Sequence, residues 1–432
     1  MKQIELRTEK LIHGGQALGH ANGKACFIWN ALPGETVRAW VIHEKDNYLE
    51  ANAAEILTPS PNRIAPVESH YLACAPWQIL SWNAENEWKM TIARETYTRL
   101  GKLKDPVIDP ILFNSDGQMG YRNKIEYSFL VRKESGQDPT PSFGIHQRGN
   151  QDLYPVQTCA LARPEINATA LSILEWLKTA GIPIKKLKRL VVKSGSGGET
   201  LAVLYITERC PMPAGMSPVL QNTAGLVICL QSQEPGGDQA GHTLWQAGET
   251  IVTTRLLETS LQYGPQSFFQ VNPPVFEMAL RDIASFLSPT DKVVDYYAGV
   301  GAISLPLAKH YASAVLVESS GESADFAQKN ITALGLTHCR LQKSSAENAL
   351  RWIEADSVLI LDPPRAGMGE KLLRKILQKK PVRLIYLSCD IATHARDIAK
   401  LTESYTLRSL KLYNFFPRTP HIEALAVLDR KA

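Results

Sequence analysis

Along the first 60 residues, short apolar stretches alternate with glycine-containing turns. The turns at Gly14-Gly15, Gly19, Asn22-Gly23 and Pro33-Gly34 recur at the close spacing that is typical of small β-barrels. The pattern predicts an OB-like barrel over residues 1–60. Whether this barrel binds a partner or only packs on its neighbour stays open at this point.

Residues 61–262 carry a mixed pattern. Helices are expected over residues 84–101 and near Arg163–Ala180. Two apolar stretches, Leu187–Val192 and Leu201–Tyr205, flank a glycine-rich turn and predict a β-hairpin. We therefore expect a β-rich α+β domain in the centre of the chain.

From residue 263 to residue 432, strands alternate with helices, a pattern typical of a doubly wound parallel sheet. Each strand ends at or just before a polar residue, as expected at the carboxyl edge of such a sheet, where ligands bind. A terminal hairpin should close the sheet. The predicted strands are Val293–Asp295, Ala314–Glu318, Ser357–Leu361 and Arg383–Leu387, and the predicted hairpin comprises Leu407–Phe416 and Ile422–Leu428.

A glycine-rich loop follows the first of these strands. Asp295 is followed by Gly299 and Gly301, and a helical segment is expected from Ala302. Glycines let the backbone approach a ligand closely, and Glu318 at the end of the next strand can accept hydrogen bonds from both hydroxyls of a ribose. The loop favours a nucleoside ligand without phosphates over a dinucleotide, with a plain tight turn as the alternative.

Three segments at this edge carry candidate chemistry. Asp362 precedes two prolines and Arg365, Cys389 lies just past a strand, and Glu423 lies in the terminal hairpin. A thiolate is a nucleophile and a carboxylate is a general base, so the set favours covalent catalysis. Taken alone, Cys389 also fits an inert core cysteine, Asp362 a helix cap, and Glu423 a solvated strand residue.

Composition narrows the class of protein. Hydrophobic residues make up 44% of the 432, enough for sizeable cores, and the formal charge of +4 permits an RNA partner without arguing for one. Seven scattered cysteines, a charged N-terminal segment and the lack of a long apolar stretch predict no disulfide framework, secretion signal or membrane span. We expect a cytoplasmic, monomeric protein whose thiols stay reduced.

Five segments of the C-terminal half closely resemble the S-adenosylmethionine-dependent RNA uracil-5-methyltransferases, and they occur in that family's order. Any one would be a weak signal, whereas five in order are specific. The N-terminal pattern similarly resembles the TRAM domain, an OB-like RNA-binding barrel. The five segments are Phe268–Pro273, Asp295–Gly301, Leu361–Gly367, Leu387–Asp390 and Phe416–Glu423.

The resemblance implies a class I methyltransferase fold, a reaction and the residues that carry it out. Cys389 adds to carbon 6 of uracil, carbon 5 takes the methyl group, and Glu423 removes the carbon-5 proton to give 5-methyluridine. Ala302 stands where the family often has an amide, so it offers no side-chain hydrogen bond. Contacts with S-adenosylmethionine are implied for Gln270, Tyr297, Gly299, Ala302, Glu318, Ser345 and Asp362.

The expected partner is RNA. The TRAM-like barrel favours 23S ribosomal RNA, and tRNA remains open. Phe268 can stack on a flipped base, although it is paired with Phe269 and such pairs are typical of a core. Arg122 and Lys124 can contact phosphates.

Two other classes of protein remain as alternatives. A cytosine-5 RNA methyltransferase also uses a thiol, but that family carries a Pro-Cys pair where this chain has Pro364-Arg365. A non-catalytic RNA-binding protein is disfavoured by the intact Cys389 and Glu423.

Many TRAM-bearing relatives hold an iron–sulfur cluster on four cysteines, and this chain departs from that pattern. Cys74 and Cys159 match two ligand positions, whereas the other two fall on Glu68 and Trp77. Two thiolates are too few for a four-thiolate cluster, so we expect no iron–sulfur cluster and no other metal. Trp77 should be buried as an apolar plug, and Cys74 and Cys159 should lie close together.

Overall fold

A closed five-stranded barrel forms the N-terminal part of the protein, in strand order β1-β2-β3-β5-β4. The structure is a computed structural model that describes residues 2–132, 139–146, 148, 153–212, 223–231 and 241–432. Inward-facing side chains alternate along β1, where Ile4 and Leu6 are buried. The strands are β1 Gln3–Leu11, β2 Ala17–Ala21, β3 Lys24–Trp29, β4 Thr36–Glu44 and β5 Tyr48–Thr58.

Two helices and a short 3-10 segment connect the barrel to the rest of the chain. They are α1 Tyr71–Cys74, the 3-10 helix Pro76–Ile79 and α2 Trp82–Arg99. Trp77 is buried, as expected, and its indole Nε1 donates a hydrogen bond to the carbonyl oxygen of Gly15 at 3.0 Å. This side chain therefore anchors the barrel to the connecting segment.

The central part of the chain forms a seven-stranded sheet in the order β12-β11-β10-β9-β6-β7-β8. Strands β9 and β10 form the predicted antiparallel hairpin, and α3 Pro164–Leu177 packs on the sheet. The strands are β6 Lys124–Arg132, β7 Thr140–His146, β8 Leu153–Val156, β9 Leu187–Ser194, β10 Thr200–Ile206, β11 Gly225–Leu230 and β12 His242–Gly248, and a separate hairpin comprises β13 Val252–Leu256 and β14 Thr259–Tyr263.

The C-terminal sheet has the order β17-β16-β15-β18-β19-β21-β20, with parallel pairing from β17 to β19 and an antiparallel terminal hairpin. Strands such as β18 are buried along their whole length, because helices cover both faces of a parallel sheet. The strands are β15 Lys292–Tyr296, β16 Ser313–Glu318, β17 Cys339–Lys343, β18 Ser357–Leu361, β19 Arg383–Ser388, β20 Tyr405–Tyr413 and β21 Glu423–Arg430, and the helices are α4 Pro273–Ser285, α5 Gly321–Ala333, α6 Glu370–Lys379 and α7 Ile391–Leu401.

One local prediction is wrong. The helix expected from Ala302 is replaced by turns and then a 3-10 helix, Leu305–His310. Gly301 has a positive φ of 89°, which ends the regular backbone there, and Pro306 lacks the N–H that an α-helix needs.

The doubly wound sheet and the N-terminal OB-like barrel confirm the predicted fold class. The domain boundaries proposed at residues 60 and 262 stay predictions. Within the described ranges, no helix is both long and apolar enough to cross a membrane.

Candidate active site

Cys389 and Glu423 come from adjacent antiparallel strands. The last registered pair between β19 and β21 is Ser388 with Ala424, so Cys389 and Glu423 are the next residues outward on the two strands. Cys389 is partly buried, and Glu423 is only 1% exposed. The thiol and the carboxyl group therefore meet at the carboxyl edge of the sheet.

The turn that carries Cys389 is fixed by a helix cap. Oδ1 of Asp390 accepts hydrogen bonds from the backbone N–H groups of Ala392 at 3.0 Å and Thr393 at 2.9 Å, which caps α7. The N–H of Asp390 donates to the hydroxyl of Ser388 at 3.3 Å. These contacts hold the backbone on both sides of the thiol.

Burial dominates the protonation of this pair. It raises the pKa of the Cys389 thiol to about 12, and the carboxyl groups of Glu423 and Asp362 raise it as well. Burial also raises the pKa of Glu423 well above its ordinary value. The guanidinium of Arg365 opposes both shifts. Burial therefore disfavours the charged form of both groups, and Arg365 favours it.

The loop that leads to Glu423 is held by a buried polar network. Lys89 Nζ donates to Asn414 Oδ1 at 2.6 Å and to the carbonyl oxygen of Phe416 at 3.1 Å, and it pairs with Glu85 at 3.0 Å. Glu85 also accepts from the backbone N–H of Arg418 at 3.0 Å. The sequence gives no sign of these contacts, because α2 and the loop are far apart along the chain.

The glycine-rich loop lies at the end of β15 and opens on free space. The N–H of Gly299 donates to Glu318 Oε2 at 2.8 Å, so the predicted ribose-binding carboxylate lies beside the loop. A Cβ added at Gly299 would meet no atom within 4 Å, whereas at Gly301 it would collide with Leu305. Tyr297 has a positive φ of 64°, an uncommon conformation for a bulky residue, and such strain is frequent at ligand sites.

Gln270 and Asp362 are also brought together. Gln270 Nε2 donates to Asp362 Oδ2 at 3.1 Å. Burial raises the pKa of Asp362 to about 7, and the Asp295 carboxylate adds to this shift while Gln270 lowers it. The N–H of Asp362 also lies 3.5 Å from the carbonyl oxygen of Tyr296, so this pair is close to the end of β15, where the glycine-rich loop begins.

A buried lysine that the sequence reasoning missed supports the segment around Gln270. Lys193 is 2% exposed, and its Nζ donates to the carbonyl oxygens of Gly264 and Ser267, each at 2.8 Å. Burial lowers the pKa of Lys193 to about 7. A lysine inside a strand pattern carries no signal that it will hold a loop more than 70 residues away.

The two remaining donor-pocket candidates lie at the same sheet edge. Ala302 directly follows the glycine-rich loop and packs partly into the core. Ser345 lies just past the end of β17, where the N–H of Ser344 donates to the carbonyl oxygen of Glu318 at 2.9 Å. Their contacts with a ligand stay predictions.

The paired phenylalanines have different environments. Phe269 is buried and stacks on Tyr263 with ring centroids 4.5 Å apart, whereas Phe268 is 57% exposed. An exposed aromatic ring beside Gln270 is available for stacking on a base.

Positive charge also gathers near the end of the Glu423 loop. The pKa of His421 is lowered to about 3, first by burial and then by the cations of Arg365, Arg148 and Arg122. Arg122 thus faces the same region as Arg365. Lys124 is different, because it is a partly buried residue of β6 that pairs in register with Lys193.

Comparison with known proteins agrees with this architecture. A family model described as tRNA (Uracil-5-)-methyltransferase matches residues 257–431. An uncharacterized RNA methyltransferase of Listeria innocua is 30% identical over 457 residues, covering 100% of this chain and 98% of the relative. One from Nitratidesulfovibrio vulgaris is 28% identical, covering 99% of this chain and 96% of the relative.

A solved structure supports the fold. The Pyrococcus abyssi tRNA (uracil-54, C5)-methyltransferase, in complex with S-adenosyl-L-homocysteine, superposes with a TM-score of 0.76 at 20% identity, covering 98% of this chain and 100% of that one. The fold is thus that of a class I methyltransferase. The chain belongs to a family of RNA methyltransferases, and its C-terminal part matches the uracil-5-methyltransferase model.

Proposed function

We propose that this protein methylates carbon 5 of uridine in RNA, with S-adenosylmethionine as the methyl donor. The observation that carries the proposal is the placement of Cys389 opposite Glu423 at the carboxyl edge of the sheet. A uracil ring held between them would meet a nucleophile and a base in one pocket. The RNA methyltransferase family supplies the substrate class.

The residues around the glycine-rich loop fit the donor. The free space above Gly299 leaves room for a ligand close to the backbone, and Glu318 offers a carboxylate for the ribose hydroxyls. Gln270 and Asp362, which are hydrogen-bonded to each other, provide an amide and a carboxyl group. When bound, S-adenosylmethionine supplies an electrophilic methyl group, and the S-adenosyl-L-homocysteine in the Pyrococcus abyssi structure is its demethylated product.

The protein's own residues then act in order. The Cys389 sulfur, as a thiolate, forms a bond to carbon 6 of uracil, and the ring electrons move so that carbon 5 becomes nucleophilic and takes the methyl group. Glu423 removes the proton from carbon 5, and the carbon–sulfur bond breaks as the double bond re-forms. Glu423 acts as base in its deprotonated form, and Arg365 favours the anionic forms of both groups.

We further propose 23S ribosomal RNA as the substrate, because the N-terminal barrel resembles a TRAM domain. A tRNA substrate is the second candidate, and it is favoured by the family description and by the substrate named for the Pyrococcus abyssi enzyme. Phe268 would stack on the flipped base, and Arg122 would contact the backbone near it.

The test compares RNA from a strain lacking the gene with RNA from the parent strain. Loss of one or more 5-methyluridines from 23S ribosomal RNA, restored by the wild-type gene but not by Cys389→Ala, is the expected result. Loss confined to tRNA would shift the substrate to the second candidate. Methyl transfer by the purified enzyme to cytidine-only RNA, and not to uridine-only RNA, would overturn the uracil assignment.

A further inference from the structure

A second cluster of reactive side chains lies where residues 68–74 meet Cys159. One donor atom from each of Glu68, His70 and Cys74 lies within 4.8 Å of the other two. Glu68 Oε2 is 3.6 Å from the Cys74 sulfur, and the thiol of Cys159 lies close enough to act on both Cys74 and His70. Two thiols, an imidazole and a carboxylate thus converge on one place.

One ring nitrogen of His70 lacks a hydrogen bond of good geometry. Its Nε2 is buried, and it has no hydrogen-bond partner among the residues that the structure describes, although it lies 3.2 Å from Glu68 Oε1. Both side chains are only 10% exposed. A buried nitrogen without a partner is costly, and a bound cation would satisfy its lone pair.

Neighbouring groups hold the donors in place. Glu68 accepts hydrogen bonds from the N–H of Ala160 at 2.5 Å and from Gln78 Nε2 at 2.9 Å. Asn167 brackets the backbone of Cys159, accepting from its N–H at 3.1 Å and donating to its carbonyl oxygen at 3.0 Å. Such outer contacts are what orient the ligands of a metal site.

We propose that Glu68, His70, Cys74 and Cys159 bind a single zinc ion. Zinc prefers four ligands drawn from cysteine, histidine and carboxylate, whereas a four-thiolate iron–sulfur cluster needs more thiolates than this cluster offers. The site departs from the sequence-based expectation that the chain holds no metal. The sequence places Glu68 at a ligand position of the relatives, but it gives no sign that His70 lies beside the two thiols.

Charge balance suits a dication. Two thiolates and one carboxylate carry three negative charges, so the occupied site would have a net charge of −1, and Arg122 and Arg148 lie near enough to act on the thiols. Zinc binding releases the protons of both thiols to solvent.

The proposed zinc site is accessible to an ion from a cavity, and a bound ion would support the loop that leads to Glu423. Glu68 and His70 line one wall of a cavity of about 750 Å³, which gives an ion access. The ion would join the segment before Trp77 to that of Cys159, and both segments support the loop that leads to Glu423. On the first segment, the N–H of Trp77 donates to the carbonyl oxygen of Arg418 at 3.0 Å. On the second, Leu161 accepts a hydrogen bond from the N–H of Arg122. The hydroxyl of the adjacent Tyr121 donates to the carbonyl oxygen of Pro417 at 3.1 Å.

Metal content and direct binding test the proposal without reference to activity. Full-length protein purified under reducing conditions is analysed for zinc, iron and sulfide, stripped with a chelator, and titrated with Zn²⁺ and with Co²⁺ as an optical probe. We expect one zinc per chain, an apparent dissociation constant below about 1 µM, and cobalt–thiolate charge-transfer absorption. Chelation should lower the melting temperature, and added zinc should restore it.

Variants assign the ligands. Cys159→Ser and His70→Asn should no longer bind stoichiometric zinc, and their cobalt–thiolate absorption should be shifted or absent. Cys210 is a partly exposed cysteine outside the cluster, so Cys210→Ser is the control and should behave like the wild type. Iron with matching inorganic sulfide would overturn the proposal. So would reduced, folded wild-type protein that binds Zn²⁺ no more tightly than the Cys159→Ser variant.

Discussion

Lys89 and Asn414, which are 325 positions apart in the sequence, are joined by a 2.6 Å hydrogen bond in the protein interior. Lys89 and its partner Glu85 are completely buried. The chain therefore encloses an ion pair in order to fix the loop that ends at Glu423. A buried ion pair adds little net stability compared with an apolar contact, but removing one partner leaves the other uncompensated.

Replacing Lys89 by methionine should accordingly be costly. Glu85 would keep Arg418, 3.7 Å away, but it and Asn414 would each lose the nearest cation, and we expect the free energy of unfolding to fall by about 3 kcal/mol. Denaturant unfolding measures this change. Arg94→Met, at an exposed position of the same helix, is the control and should change stability by less than about 0.5 kcal/mol. Equal stability of the two variants would contradict the role given to the buried pair.

Cys389→Ala should fold and bind S-adenosylmethionine but transfer no methyl group. Uracil carbon 5 lacks nucleophilicity until carbon 6 is attacked, and loss of an essential covalent nucleophile costs several powers of ten in rate. Transfer of radiolabelled methyl groups to RNA measures the loss, and calorimetry checks that the donor still binds. Near wild-type turnover would rule out the covalent route.

Glu423→Gln should form the covalent adduct and transfer the methyl group, then stall, because the carbon-5 proton remains. RNA containing 5-fluorouridine should trap the wild-type enzyme in the same way, since fluorine cannot leave as a proton. A slowly migrating protein–RNA band on a denaturing gel is expected in both experiments, and it should vanish in combination with Cys389→Ala. The absence of a band in both experiments would count against the covalent route and against the role of Glu423.

The thiol of Cys389 should titrate at unusually high pH in the absence of substrate. Burial and the neighbouring carboxyl groups raise its pKa to about 12, so the thiolate fraction, and with it the alkylation rate, should climb about tenfold per pH unit from pH 7 to 10. Peptide mass spectrometry after iodoacetamide treatment follows this one cysteine. In unfolded protein the rate should level off above the ordinary cysteine pKa of about 8.5. A plateau near that value in the folded protein would disagree with the burial-raised pKa.

Glu318→Ala should weaken S-adenosylmethionine binding by about 10- to 150-fold, the loss expected for hydrogen bonds made by a charged group. RNA affinity should hardly change, because Glu318 lies beside the glycine-rich loop. Calorimetry with Glu403→Ala as an exposed control separates this effect from a general loss of charge. Unchanged donor affinity would place the pocket elsewhere.

Strands could be predicted from the sequence where their own residues form a continuous apolar run. The continuous apolar run of Ser357–Leu361 identified β18, whereas β17, a partly exposed edge strand with the sequence Cys-Arg-Leu-Gln-Lys, gave no such run and was missed. The parallel topology follows from the order of strands and helices, and the antiparallel terminal hairpin then brings Glu423 beside Cys389 at one edge.

What the sequence could not show depends on packing between distant segments. The support that Lys193 and Lys89 give to their loops needs contacts far along the chain. The split between the exposed Phe268 and the buried Phe269 depends on the ring of Tyr263, which follows only from the fold. The shifted protonation of Cys389 likewise comes from burial and from three side chains on other segments.

The contact between Gly15 and Trp77 limits how far the barrel can be treated as an exchangeable module. A Cβ added at Gly15 would lie 2.6 Å from the Cβ of Pro420, three residues before Glu423, so this barrel turn touches the loop that carries the base. The N-terminal barrel and the loop that leads to Glu423 are therefore in direct contact. A barrel transplanted from a relative would therefore need glycine at the position of Gly15. Any larger residue there would push on Pro420 and shift Glu423, even though no residue of the proposed active site had been changed.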